Sequence, residues 1–123
     1  MDGVEQRQYP RFGLGVPVTL VFSARGVSAE GELQDISQGG CFFKSTAKVD
    51  VDRKISVVFS SGRGQTWRAT GSVIRTVAYR GFAVLFEAGT ESLNDVLQEL
   101  ARQPQEGRAA FLTGILDPQI EIL

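Results

Sequence analysis

A chain of 123 residues, 42% apolar and 22% charged, has room for one domain around one core, and its net charge of −1 lacks the basic excess of a nucleic-acid binder. The absence of histidine excludes a Ser-His-Asp or Cys-His catalytic constellation, a histidine-ligated metal and an imidazole switch. The single cysteine, Cys41, excludes an internal disulfide and a cysteine-rich zinc site, and fits a reducing, cytoplasmic setting.

In chain order, residues 1–15 lack apolar periodicity and hold Gly3, Pro10, Gly13 and Gly15, which reads as a flexible N-terminal arm. The arm has no apolar core of a signal peptide, and nothing in the chain reaches the ~18 consecutive apolar residues of a membrane span. From Val16 the pattern becomes that of a half-buried strand: Val16, Val18, Leu20 and Phe22 alternate with Pro17, Thr19, Val21 and Ser23. Ala24-Arg25-Gly26 predicts a turn, and Val27–Leu33 a returning strand. Asp35–Gly40 is turn chemistry, and Cys41–Ser45 resumes a strand.

Lys54–Ser60 is rich in β-formers, and Ser61-Gly62-Arg63-Gly64 signals a hairpin loop. Trp67–Ala78 is a long alternating strand with Ala69, Gly71 and Val73 on one face. Tyr79-Arg80-Gly81 turns the chain into Phe82–Phe86, an apolar run suited to a strand buried on both faces. Helix follows: Thr90 or Ser92 serves as N-cap, Leu93, Val96, Leu97 and Leu100 form one stripe, and Pro104 ends it. The tail, residues 102–123, predicts a short helix and an extended end, interrupted by Gly114 and Pro118. About six strands followed by helix predict a mainly β chain, an antiparallel barrel or sandwich with a helical lid.

The basic residues are lopsided, ten arginines to three lysines. Arginine's planar fork pairs bidentately with phosphate and stacks on rings, which lysine cannot do. Two motifs stand out. Arg7 and Arg11 form Arg-x-x-x-Arg in the arm, a spacing expected by chance about once in a chain this rich in arginine. Asp35, Ser37 and Gly40 form Asp-x-Ser-x-x-Gly, which arises by chance in about one such chain in twenty. Alone, the first reads as a solvated basic tail and the second as a connecting turn. The carboxylates show no spacing for acid–base work, so the residues point to binding and not to an enzyme.

In this order, and followed by Gly71, Val73 and Arg75 and then Gly81, Val84 and Phe86, the motifs make the chain resemble the PilZ domain family, receptors for cyclic di-GMP. The resemblance covers roughly Glu5–Ala101. It implies a six-stranded antiparallel PilZ-type β-barrel with a C-terminal α-helix: arm 1–15, barrel and helix 16–101, tail 102–123. It implies cyclic di-GMP as ligand, no cofactor besides, and contacts from Arg7, Arg11, Asp35, Ser37, Gly39 and Gly40. Gln6, Gln8 and Arg75 complete the candidate set; Lys44, Cys41 and Trp67 read better as surface or core residues. Gln6 stands where many members carry a further basic residue, which leaves open whether one ligand or an intercalated pair binds.

The chemistry runs parallel to the resemblance. Arginine addresses phosphate oxygens and guanine O6/N7, and a carboxylate suits the guanine N–H donors. Ser37 is expected to donate to phosphate or base, and Gly39 and Gly40 to leave space and free amides for the ligand. The expected output is a protein effector in motility, pilus, biofilm or related signalling, switched as the ligand orders the arm on a monomer or homodimer. A PilZ-like adaptor that binds no nucleotide is the alternative, and a single-stranded nucleic-acid barrel is disfavoured by the charge balance.

Overall fold

The computed structural model describes residues 11–60, 66–87, 93–115 and 118–123. The arm through residue 10, the hairpin loop predicted at 61–64 and the N-caps predicted at Thr90 and Ser92 lie outside these.

Strand β1 runs from Phe12 to Phe22, β2 from Val27 to Ile36, β3 from Gly40 to Lys44, β4 from Lys54 to Ser60, β5 from Thr66 to Val77 and β6 from Gly81 to Phe86. Helix α1 (Leu93–Arg102), a 3-10 turn (Gln105–Gly107) and helix α2 (Arg108–Ile115) follow, then a last strand β7 (Pro118–Ile122). The strands close a barrel in the order β1-β2-β3-β6-β5-β4-β7. This is the expected β-barrel with C-terminal helix, but with seven strands in place of six.

The seventh strand comes from the tail. Ile120 and Ile122 are buried in the barrel while Gln119 and Glu121 face out, the period of a half-buried strand. β7 lies between β1 and β4, parallel to the first and antiparallel to the second, so the barrel is not wholly antiparallel. The first strand also begins earlier than its alternation suggests. Phe12 pairs with Ile36 and Gly13 with Asp35, and the register then slips before Val16 pairs with Leu33. Gly15, at φ +74°, supplies the left-handed residue of this bulge. Gly13 and Gly15, which suggested a loop, therefore lie in a bent strand, and the predicted arm 1–15 gives way to β1 at Phe12.

Val16, Leu20, Leu33, Ile36, Phe43 and Phe59 are fully buried in the core. Phe82–Phe86 is not covered on both faces: Leu85 is 54% exposed, while Phe82, Val84 and Phe86 are buried. Of the predicted helical stripe, Val96, Leu97 and Leu100 are buried; the side chain of Leu93 lies outside the described set. α1 packs on β5 and α2 on β1, with Leu112 of α2 fully buried. Trp67 is half-buried against the core, as packing predicts. Among the described residues no helix is long and apolar enough to cross a membrane.

Cys41 points inward from β3, and burial, then the nearby Asp35 charge, raise its thiol well above 9.0. A raised folded pKa adds stability that is complete below the unfolded pKa and is lost as pH rises through the folded one. Cys41 is therefore expected to resist a thiol-specific reagent at pH 8 until denaturant is added. The melting temperature of the wild type is expected to fall faster above pH 9 than that of Cys41→Ala.

Candidate ligand-binding site

The Asp-x-Ser-x-x-Gly segment divides into a strand residue, Asp35, and a turn that is hydrogen-bonded within itself. Asp35 and Ile36 belong to β2, so the turn proper is only Ser37–Gly39. The Ser37 amide donates to the Gly40 carbonyl at 2.8 Å, and the Ser37 hydroxyl donates to the same oxygen at 3.3 Å. The hydroxyl also accepts from the Gly39 amide at 3.3 Å. The Ser37 hydroxyl thus donates once and accepts once inside the turn. Gly39 is engaged too: its carbonyl accepts from the Phe86 amide at 2.9 Å.

Gly40 has a packing reason to be glycine. A Cβ there would stand 2.1 Å from the backbone oxygen of Val84 on β6. The motif glycine permits β3 and β6 to pair closely, as Gly71 permits β5 and β6, where a Cβ would meet the Leu85 oxygen at 2.3 Å. The tip of the turn holds one unsettled group: the Oε1 of Gln38 is buried without a hydrogen-bond partner among the described residues. Buried acceptors are rarely left unpaired, so this atom marks a place for a donor.

Asp35 faces outward. Its carboxylate lies 3.6 Å from Arg11 Nη1, with the two side chains 25% and 45% exposed. Arg11 immediately precedes β1, whose Gly13 is the register partner of Asp35. The structure thus brings the second arm arginine to the second motif's carboxylate. Arg7, Gln6 and Gln8 lie outside the described residues.

Register carries the site across the barrel wall. Asp35 pairs with Phe42, Phe42 with Ala83, and Ala83 with Arg75. Neighbouring strands lie ~4.8 Å apart, so this row spans about 14 Å from Asp35 to Arg75. One row along, Lys44 pairs with Gly81, and Gly81 with Val77. Gln34, Phe42, Lys44, Arg75, Val77 and Arg80 line a hollow of about 500 Å³. Phe42 is its half-buried floor, and Lys44, Arg75 and Arg80 are exposed with no ion pair among the described residues. Glu32, opposite Lys44 in register, has its carboxylate beside Gly15 on the β1 side.

A larger hollow of about 710 Å³ opens over β1, β7 and β4. Its wall carries Glu30 and Glu121 together with Arg68, and so lacks the cationic excess that seats an anion.

The family model for the PilZ domain matches residues 5–103. The chain belongs to the PilZ domain family. No curated protein matches it. PilZ domains are cyclic di-GMP receptor domains built on a β-barrel, and the matched span holds both arginines of the arm, the Asp35–Gly40 segment and Arg75. It ends before the 3-10 turn, α2 and β7, so this PilZ barrel is completed by residues beyond the family match.

Sequence reasoning did not single out Phe42 and Arg80, which line this hollow of about 500 Å³, or Gln38 at the turn, and it read Lys44 as a surface residue. A signal existed for Phe42: in Cys41-Phe42-Phe43 alternation sends one aromatic outward, but sequence alone does not say which.

Proposed function

We propose that this PilZ domain is a cyclic di-GMP receptor and adaptor, which ties its N-terminal arm to the barrel when ligand binds and so switches a protein effector in bacterial motility, biofilm or related signalling. The observation that carries the reading is the Arg11–Asp35 pair, partly exposed at the start of β1 beside a hollow with an aromatic floor and three cations.

Binding is an exchange of partners. A ligand phosphate takes the Arg11 fork, and the guanine N–H edge takes the Asp35 carboxylate. Little is lost, because an exposed ion pair of this kind contributes about 0–1 kcal/mol. Arg7 adds a second fork from the arm. Phe42 offers a ring face to a purine, a contact worth about 1–3 kcal/mol. Arg75, Lys44 and Arg80 supply charge for the second phosphate. Ser37, Gly39 and Gly40 act by holding the turn. A dianion needs a local concentration of positive charge, which this face provides on a chain of net charge −1.

Isothermal titration calorimetry of the intact chain with cyclic di-GMP tests the reading. Saturable binding is expected, and Phe42→Ala should weaken it by roughly 5- to 100-fold, the loss of one stacked base. No binding by the wild type at tens of micromolar would favour an adaptor that acts through protein contacts alone. Unchanged affinity in Phe42→Ala would move the purine off the hollow.

A further inference from the structure

The start of β1 is gripped by residues outside the two motifs. Arg108, the first residue of α2, holds its guanidinium over the Phe12 ring, 4.9 Å from the centroid. The same group donates from Nε to the Leu100 carbonyl at 2.9 Å and from Nη1 to Gln105 Oε1 at 2.8 Å. Gln105 in turn donates from Nε2 to the Gly13 carbonyl at 3.2 Å. One cation thus joins the last turn of α1, the 3-10 turn and the start of β1. It forms no ion pair with a carboxylate among the described residues, so its interactions depend on geometry.

The two β1 residues held by Arg108 and Gln105 lie next to the Arg11–Asp35 pair. Phe12 follows Arg11 in the chain, and Gly13 is the register partner of Asp35. Where Phe12 and Gly13 sit decides where the Arg11 side chain leaves the barrel. Arg108 and Gln105 both lie beyond residue 103, where the family match ends.

We propose that Arg108, with Gln105, is a positioning residue for the ligand site: it fixes Phe12 and Gly13 so that Arg11 meets the ligand in register with Asp35. The inference rests on the receptor reading above. It is reciprocal by linkage: a contact that raises ligand affinity is itself strengthened by bound ligand. The cyclic di-GMP complex therefore holds the corner between α1 and α2 more firmly against β1, which carries the ligand's effect to the C-terminal face of the domain.

The test is a double-mutant cycle with cyclic di-GMP as titrant, followed by NMR up to millimolar ligand so that weak binders are measured. Arg108→Met keeps most of the stem and removes the fork. It is expected to weaken binding by about five-fold or more while the protein stays folded by circular dichroism. In an Arg11→Ala background the same substitution should cost almost nothing, because a positioning residue acts through the group it positions. A purely structural role for Arg108 would lower the melting temperature and leave the affinity of the folded protein unchanged, and that result overturns the proposal. Equal losses with and without Arg11 also overturn it. Should Arg108→Met not fold, Gln105→Ala, which removes only the bond to Gly13, takes its place with the same expectations. Failure of the wild type to bind would remove the receptor reading itself, whereas wild-type binding with an indifferent Arg108→Met removes only the positioning role.

Discussion

An Asp35→Ala protein is expected to bind cyclic di-GMP roughly 10- to 100-fold more weakly than the wild type, with a melting temperature within a few degrees of it. The affinity loss follows from removing a charge-assisted acceptor, whose hydrogen bonds are worth about 1.5–3 kcal/mol. The small stability change follows from exposure. At 3.6 Å and with both side chains partly in water, the Arg11–Asp35 pair contributes at most about 1 kcal/mol to folding. Asp35→Asn sharpens the result, since it keeps the shape and loses the charge and half the acceptor capacity. Titration calorimetry and thermal denaturation on the same samples separate the two effects. A large drop in melting temperature with unchanged affinity would make Asp35 a structural residue and not a base reader. Arg11→Lys should weaken binding as well, because a point charge cannot replace a planar fork.

Gly40→Ala is expected to be the most damaging single substitution of the motif, and by a different route. The added methyl would meet the Val84 carbonyl oxygen at 2.1 Å, a backbone atom of a paired strand. No rotamer relieves that contact; β3 and β6 must separate, and the ladder from Gly40 to Lys44 is lost with them. A cost above about 4 kcal/mol is expected, a large part of the 5–15 kcal/mol that holds a domain of this size. Gly26→Ala is the matched control. It sits at φ +66° with open space around it, so its cost is only the left-handed strain of about 1–2 kcal/mol. Urea denaturation should show a wide gap between the two variants. Equal midpoints would mean that Gly40 is there for the ligand, with the barrel tolerating a side chain.

Most strands were legible because one face of each is wet. Val16, Val18, Leu20 and Phe22 alternate cleanly with outward residues, and β4 spans the residues its β-formers predict. The misreadings share a cause: they depend on which distant strand lies alongside. The apolar run Phe82–Phe86 gives no hint that Leu85 faces solvent. The alternation of Ile120 and Ile122 is visible, but not their place between β1 and β4. Gly13 and Gly15 resemble loop residues until the bulge is seen. At the candidate site, residue types singled out a segment that the fold sets beside Arg11, and left its internal hydrogen bonds unread. Ser37 spends its hydroxyl on Gly40 and Gly39, and a serine in a turn is the same letter whether it faces the ligand or the turn. Phe42, Lys44, Arg75 and Arg80 come from two strands and a hairpin turn, and meet only once register is set.

The parallel seam between β1 and β7 also constrains how the molecule comes into being. Leu20 pairs with Ile120, across nearly the whole chain, and no shorter-range pairing joins β1 to β4 without β7 between them. Loop-closure entropy must be met before that contact gives anything back, so closure is expected to be the late step, after the β1–β2 and β4–β5 pairs have formed. During synthesis the earlier strands wait as an open sheet, with unpaired edges at β1 and β4, until residues 118–122 emerge. One five-residue strand decides whether the sheet becomes a barrel.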